Sequence, residues 1–323
     1  MAKKVNRIKP IVKRARPQTD EVNILVPADV PVSKRKTYVE NYNLITKGSG
    51  RLMLFAGDQR VEHLNDDFYG KDISPDDATP EHLFHIASQA RIGCFAAQLG
   101  LVSRFGPAFP QLPYLIKLNS KSNLVKSNQI DPFSYAWYDI EQVVTFAKQS
   151  GLKIPAVGYT IYLGSEYEPQ MLREAAQIVF KAHQNGMIAV IWIYPRGKSV
   201  VNEKDPHLIA GACDVGCALG ADFVKVNFPV VLMADPYLAF KESIMAAGRT
   251  KVICAGGGNA DVETFLDALH KQIFISGAGG NATGRNIHQK PLAEAIRFCN
   301  AIAAITIDGK SAAEAYQIYL GRM

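Results

Sequence analysis

Lys225 is the residue most in need of an explanation. It lies in the run Phe223-Val224-Lys225-Val226, where an ammonium among apolar side chains is costly. Burial and a nearby cation lower an amine's pKa from its ordinary value of about 10.4, which leaves neutral amine free to attack a carbonyl carbon. The alternative is an ion pair with a carboxylate such as Asp58. Asp58 itself opens Asp58-Gln59-Arg60-Val61-Glu62-His63, directly after an apolar run that ends at Gly57. It is a candidate general base, or the partner that positions a protonated amine, against the plainer role of a helix cap. Tyr194, in Trp192-Ile193-Tyr194-Pro195-Arg196-Gly197, is a candidate to exchange a proton at a reacting carbon. Trp192, two residues earlier, shares its face on a strand. His63 is placed to reach a substrate or its phosphate, although a lone histidine is more often structural. Arg196 and Lys198 add positive charge that an anionic substrate would use.

A second set of residues suits phosphate. Ala255-Gly256-Gly257-Gly258 and Thr283-Gly284-Arg285-Asn286 each follow a short apolar or small-residue run. Glycines let backbone N–H groups approach an anion, a helix start adds a favourable dipole, and Arg285 can grip phosphate through two N–H groups. One such turn would read as a flexible connection. Two of them, in Gly256-Gly257 and Gly284-Arg285, point to a phosphate cradle.

The elements that must position these groups come from periodicity. Apolar runs at Leu52–Gly57, Ile92–Ala97, Tyr114–Leu118, Ala156–Ile161, Ile188–Ile193, Phe223–Val226 and Lys251–Cys254, with a weak eighth at Gly280–Thr283, predict strands. Amphipathic stretches such as Asp139–Gln149, Glu168–Asn185, Pro206–Leu219, Pro236–Ala247 and Val262–Ile275 predict helices between them. Gln272–Ser276 reads either as the end of a helix or as the last strand. Eight strands alternating with helices predict a single (β/α)₈ (TIM) barrel over 51–323, with residues 1–50 as an N-terminal extension carrying a short helix from Pro31 to Leu44. A doubly wound sheet lacks its early Gly-x-Gly-x-x-Gly turn here. In such a barrel reactive groups sit after the carboxyl ends of strands, and phosphate is held after strands 7 and 8, where the two glycine turns fall.

Composition bounds the function. The chain has 323 residues, 48% apolar, with a formal charge of +6. Of its 36 Lys and Arg, seven fall in the first 16 residues, which leaves the remainder close to balanced against 30 Asp and Glu. That distribution argues against nucleic-acid binding by the body of the protein. Pro10 and Pro17 interrupt any amphipathic targeting helix, and no apolar run is long enough to span a membrane, so a cytoplasmic protein is expected. The five cysteines read as reduced packing thiols, Cys213 and Cys217 lack a second pair at zinc spacing, and His82 with His85 reads as a solvated helix face.

At these residues the chain resembles the archaeal-type class I fructose-bisphosphate aldolases, a family that also includes aldolases and synthases of related phosphorylated ketoses. The similarity runs from about Arg51 to the C-terminus. It is carried by Asp58-Gln59 with Val61-Glu62-His63, by Gly158-Tyr159-Thr160-Ile161-Tyr162-Leu163-Gly164-Ser165, and by Trp192 to Gly197 with Val201-Asn202-Glu203. Gly220-Ala221-Asp222 ahead of Lys225, Gly256-Gly257, and Gly284-Arg285-Asn286 with Gln289 complete it. The resemblance implies that Lys225 forms the Schiff base, with Asp58, Tyr194 and Trp192 as its active-site partners, that the substrate is a phosphorylated sugar, and that the protein is a homo-oligomer. It also makes Gly280–Thr283 the eighth strand. Because an iminium withdraws electrons as a Lewis acid does, no metal and no cofactor are expected. The chain departs from the family at Asn227-Phe228-Pro229, where a Tyr-Thr-Gly-Asp-like turn is usual, and at Arg60, where a small residue is usual. Tyr194-Pro195-Arg196-Gly197-Lys198 with Asn202-Glu203 also resembles archaeal synthases that feed aromatic amino-acid precursors, whereas Trp192 favours the fructose-bisphosphate reading. A noncatalytic phosphate-binding barrel is the rival from another class.

Overall fold

The computed structural model describes residues 24–62, 67–122, 131–256 and 261–322. Eight parallel strands close on themselves: β1 (Leu52–Ala56), β2 (Cys94–Gln98), β3 (Pro113–Lys117), β4 (Lys153–Leu163), β5 (Ile188–Pro195), β6 (Phe223–Val226), β7 (Lys251–Ala255) and β8 (Gly280–Thr283), with β8 pairing back onto β1. This is the expected (β/α)₈ barrel. A parallel strand covered on both faces reads as an unbroken apolar run, which is why most of the strands were visible in the sequence. Alternate residues serve two cores: Leu52, Leu54, Cys94, Ala96, Val190 and Ile253 fill the barrel interior. Met53, Phe55, Phe95, Ala97, Ile191 and Val224 pack outward under the helices.

The chain order of helices is α1 (Arg35–Thr46), α2 (Gln59–Glu62), α3 (Glu81–Gln89), α4 (Leu99–Phe105), α5 (Ile140–Ser150), α6 (Glu168–Gln184), α7 (Pro206–Ala218), α8 (Pro236–Ala239), α9 (Lys241–Ala246), α10 (Val262–Lys271), α11 (Arg285–His288), α12 (Leu292–Thr306) and α13 (Ala312–Tyr319). The single helix expected over Pro236–Ala247 is broken at the buried Phe240 into α8 and α9. The ambiguous Gln272–Ser276 is a wide π turn that extends α10, and Gly277 ends it in the left-handed region at φ 93°. β8 then begins at Gly280, where φ is 137° and a Cβ would lie 2.0 Å from the Leu52 carbonyl oxygen. Only glycine lets β8 approach β1 closely enough to close the barrel. His82 departs from its expected place on a solvated face: it is buried, with Nε2 3.0 Å from the His288 carbonyl oxygen.

α1 lies against the barrel, where Tyr38, Tyr42 and Ile45 join the interior core with Leu52 and Phe223. A buried polar knot fixes it there. Asp222, one residue before β6, accepts from Tyr38 Oη and from the Ala189 N–H at 2.8 Å, and His183 of α6 lies between Asp222 (3.1 Å) and Asp29 (2.8 Å). Burial pulls the His183 imidazole down, but the hydrogen bonds and charges of Asp222 and Asp29 outweigh it and lift its pKa from 6.5 to about 9. A raised pKa stabilises the fold fully below the unfolded value of 6.5, and that contribution fades as pH climbs through 9. Unfolding by urea is expected to lose about 3 kcal/mol over that window. A His183→Gln variant should lack this loss; an equal pH dependence in the variant would remove His183 from the account. Among the described residues no helix is long and apolar enough to cross a membrane.

Candidate active site

Strand register places the polar residues. Residues paired across parallel strands show their side chains on one face. Thr160 of β4 pairs with Trp192 of β5, Trp192 with Lys225 of β6, and Lys225 with Ile253 of β7. Ile253 belongs to the interior core, so all four point into the barrel. A second row pairs Gln98 of β2 with Lys117 of β3 and Lys117 with Gly158 of β4. Ala56 pairs with Ala96, and two residues farther along Asp58 comes level with Gln98. The barrel's carboxyl end is therefore ringed on β1 to β6 by Asp58, Gln98, Lys117, Thr160, Trp192 and Lys225. On β7 and β8 the corresponding positions are the small residues Ala255 and Ala282.

Trp192 organises this ring. A Cβ at Gly158 would lie 2.4 Å from its Cζ3, so the indole takes the space of a position that must be glycine. Two ammonium groups rest against it, Lys225 Nζ at 5.2 Å and Lys117 Nζ at 5.3 Å from a ring centroid. Lys117 is completely buried and is held by the Asn119 carbonyl oxygen at 2.6 Å, by Asn119 Oδ1 at 3.3 Å and by Glu62 at 3.7 Å. Lys225, 5% exposed, forms no ion pair with any described residue, Asp58 included. Burial is the largest influence on its amine and lowers the pKa; the charges of Asp58 and Glu62 oppose this, those of Lys117 and Arg285 reinforce it, and the balance is downward.

Lys117→Met removes one of the two cations that favour neutral Lys225. The acid limb of the kcat/KM profile is expected to move to higher pH, with about a tenfold loss of activity at neutral pH for each unit moved. Lys117→Arg should keep the limb where it is. A profile unmoved by methionine would show that the charge of Lys117 does not reach the amine.

Asp58 is 2% exposed, and its Oδ1 has no hydrogen-bond partner among the described residues. Tyr194 pairs with Tyr162 at the top of the β4–β5 ladder. Burial, then the charges of Glu62 and Asp58, raise its pKa well above 10, so it enters any reaction as a neutral phenol able to give a proton. Arg196 lies 5.7 Å from the Tyr194 ring but makes two 2.8 Å hydrogen bonds with Glu203, and Lys198 pairs with Asp131 at 3.3 Å and Glu166 at 3.7 Å. The positive charge expected there for an anionic substrate is thus already balanced by carboxylates.

The two glycine turns lie beyond β7 and β8. Gly284 packs so tightly on Gln59 that a Cβ would meet Oε1 at 2.3 Å, and Arg285 Nε sits 3.5 Å from Asp67. Gly256 contributes differently from expectation, since its N–H bonds the Ala282 carbonyl at 2.9 Å; its own carbonyl accepts from Asn286 at 3.0 Å and so ties the two loops together. His63 and Gly257 lie outside the described residues. Sequence reasoning gave no role to Gln98, Thr160, Lys117 or Asn286. Period-two alternation from Ala96 and Gly158 was the signal for the first two. Among the described residues no three His, Cys, Asp or Glu side chains are grouped to hold a metal ion.

The profile of the DeoC/LacD family of aldolases matches residues 52–290, which include all eight strands. The chain belongs to this family. It is 56% identical over 299 residues to the fructose-bisphosphate aldolase/6-deoxy-5-ketofructose 1-phosphate synthase of Methanocaldococcus jannaschii, covering 93% of this chain and 95% of that one. It superposes on a fructose-bisphosphate aldolase from Slackia heliotrinireducens with a TM-score of 0.92 at 50% identity, covering 95% and 97% of the two chains. A Schiff-base-forming fructose-1,6-bisphosphate aldolase, solved in a study of its reaction intermediates, aligns at 31% identity and a TM-score of 0.70 over 83% of this chain and 99% of its own. Within this DeoC/LacD aldolase, Lys225, Asp58 and Tyr194 lie at one end of the barrel.

Proposed function

We propose that this aldolase is an aldehyde-lyase that reversibly cleaves fructose 1,6-bisphosphate to dihydroxyacetone phosphate and glyceraldehyde 3-phosphate, with Lys225 as the Schiff-base residue. The observation that carries the reading is an amine of lowered pKa, buried at the carboxyl end of β6 against Trp192 and between Lys117 and the phosphate-side loops. The amine attacks the C2 ketone, and loss of water leaves an iminium. Asp58, or a water it holds, takes the proton of the C4 hydroxyl, and the C3–C4 bond breaks to release the aldehyde and an enamine. Tyr194 gives a proton to C3, and hydrolysis frees the ketone and the lysine. Gly284, Arg285 and the Gly256 loop anchor the C1 phosphate and hold the carbonyl within reach of the amine.

A second reading differs only in the aldehyde. Disconnecting 6-deoxy-5-ketofructose 1-phosphate between C3 and C4 gives the same three-carbon phosphate donor and 2-oxopropanal, an uncharged aldehyde. The occupied pairs Arg196–Glu203 and Lys198–Asp131 favour it, because they leave that side of the mouth short of unpaired charge for a second phosphate. Borohydride reduction with dihydroxyacetone phosphate, followed by peptide mass spectrometry, tests what both readings share. An adduct on Lys225 together with glyceraldehyde 3-phosphate released from fructose 1,6-bisphosphate supports the first. The same adduct with turnover only for 2-oxopropanal supports the second, and no adduct removes both.

A further inference from the structure

Four inward side chains of the ring carry a buried polar atom that has no hydrogen-bond partner among the described residues: Asp58 Oδ1, Gln98 Oε1, Thr160 Oγ1 and Trp192 Nε1. A buried polar atom left unpaired is costly, so each calls for a partner that the substrate can bring. Gln98 is the most informative, because its orientation is decided by chemistry. It is 4% exposed, and its amide lies 2.6 Å from the Asp58 carbonyl oxygen and 3.1 Å from Ser120 Oγ. A carbonyl oxygen only accepts, so the atom facing it must be the NH₂ group. Both N–H bonds of that group are thereby engaged. What remains is Oε1, an acceptor that can be satisfied only by a donor.

That restricts what it can bind. A phosphate and a ketone offer acceptors, whereas a hydroxyl offers a proton. Resting on the aldolase reading above, we propose that Gln98 Oε1 accepts the C3 hydroxyl of the ketose, which is the free hydroxyl of the three-carbon donor, and so selects hydroxylated donors over deoxy ones. The amide is tied to the main chain of Asp58, whose carboxyl handles the C4 hydroxyl, and C3 is the next carbon along the chain. The phosphate loops of β7 and β8 flank β1 on its other side, so a donor anchored there extends past Asp58 toward β2. Gln98 is a specificity-determining residue in this scheme and takes no proton.

The test compares dihydroxyacetone phosphate with 1-hydroxypropan-2-one phosphate, which lacks only that hydroxyl, as donors to one aldehyde in the wild-type enzyme and in Gln98→Met. The wild type is expected to favour the hydroxylated donor in kcat/KM. Gln98→Met should shrink that preference by about tenfold, mainly by losing the hydroxylated donor. A merely structural role lowers both donors by one factor and leaves the preference unchanged, which would overturn the proposal. Should Gln98→Met fail to fold, Gln98→Asn withdraws the oxygen by one carbon and reads the same ratio. Borohydride adducts with both donors and an unchanged ratio remove this proposal alone; absence of any adduct in the wild type removes the aldolase reading and this inference with it.

Discussion

Lys225→Met is expected to lose at least about 10⁴-fold in kcat for aldol cleavage and to give no borohydride adduct, while folding as well as the parent. The two halves of that expectation have separate causes. Without the amine there is no iminium, and a ketone alone is a poor sink for the electrons of the breaking bond. Methionine nearly matches the lysine in volume and carries no charge, so it relieves the desolvation that dominates the Lys225 pKa. Its thermal midpoint should equal or exceed that of the wild type. A collapse of stability alongside activity would show that the ammonium is held by contacts the barrel needs. Retention of more than about 1% of activity in a folded variant would place the chemistry on another group, with Lys117 the first to examine.

Much of this site was legible because a parallel barrel turns burial into continuous apolar runs, and a lysine inside one stands out. Charge drew attention to Lys225 and Asp58, and glycine to the turns after β7 and β8. Gln98 escaped because an amide at the end of a strand carries no charge; alternation from Ala96 gives its face, and the β1–β2–β3 register shows what it stands beside. The partners of Arg196 and Lys198 could not be read from the sequence because folding sets them: Glu203 lies in the following loop, and Asp131 comes from beyond β3. Asp222 belongs to the motif that precedes Lys225, yet its bonds to Tyr38, His183 and Ala189 make it a fastening for α1. It stands just before the start of the strand that carries Lys225 near its end. The Ile273-Phe274-Ile275 run was ambiguous for a related reason, since a wide helical turn exposes Phe274 and Ile275 without any break in the apolar pattern.

Asp58→Asn separates two effects that its carboxylate exerts. If Asp58 is the base for the C4 hydroxyl, as proposed, its loss should lower kcat for cleavage by about 10² to 10⁴. As a negative charge near Lys225 it raises that amine's pKa, so its removal lowers the pKa further and leaves more neutral amine at a given pH. The acid limb of the kcat/KM profile should therefore move to lower pH, opposite in sign to the shift expected from Lys117→Met. Schiff-base formation with dihydroxyacetone phosphate should persist, because that step needs the amine and the phosphate loops and not the base. Trapping and cleavage measured on one preparation decide the matter. Normal trapping with cleavage lost assigns the base to Asp58. Loss of both would mean that the carboxylate holds the amine in place, and a cleavage loss under about tenfold would pass the proton to Glu62, which already stands 3.7 Å from Lys117.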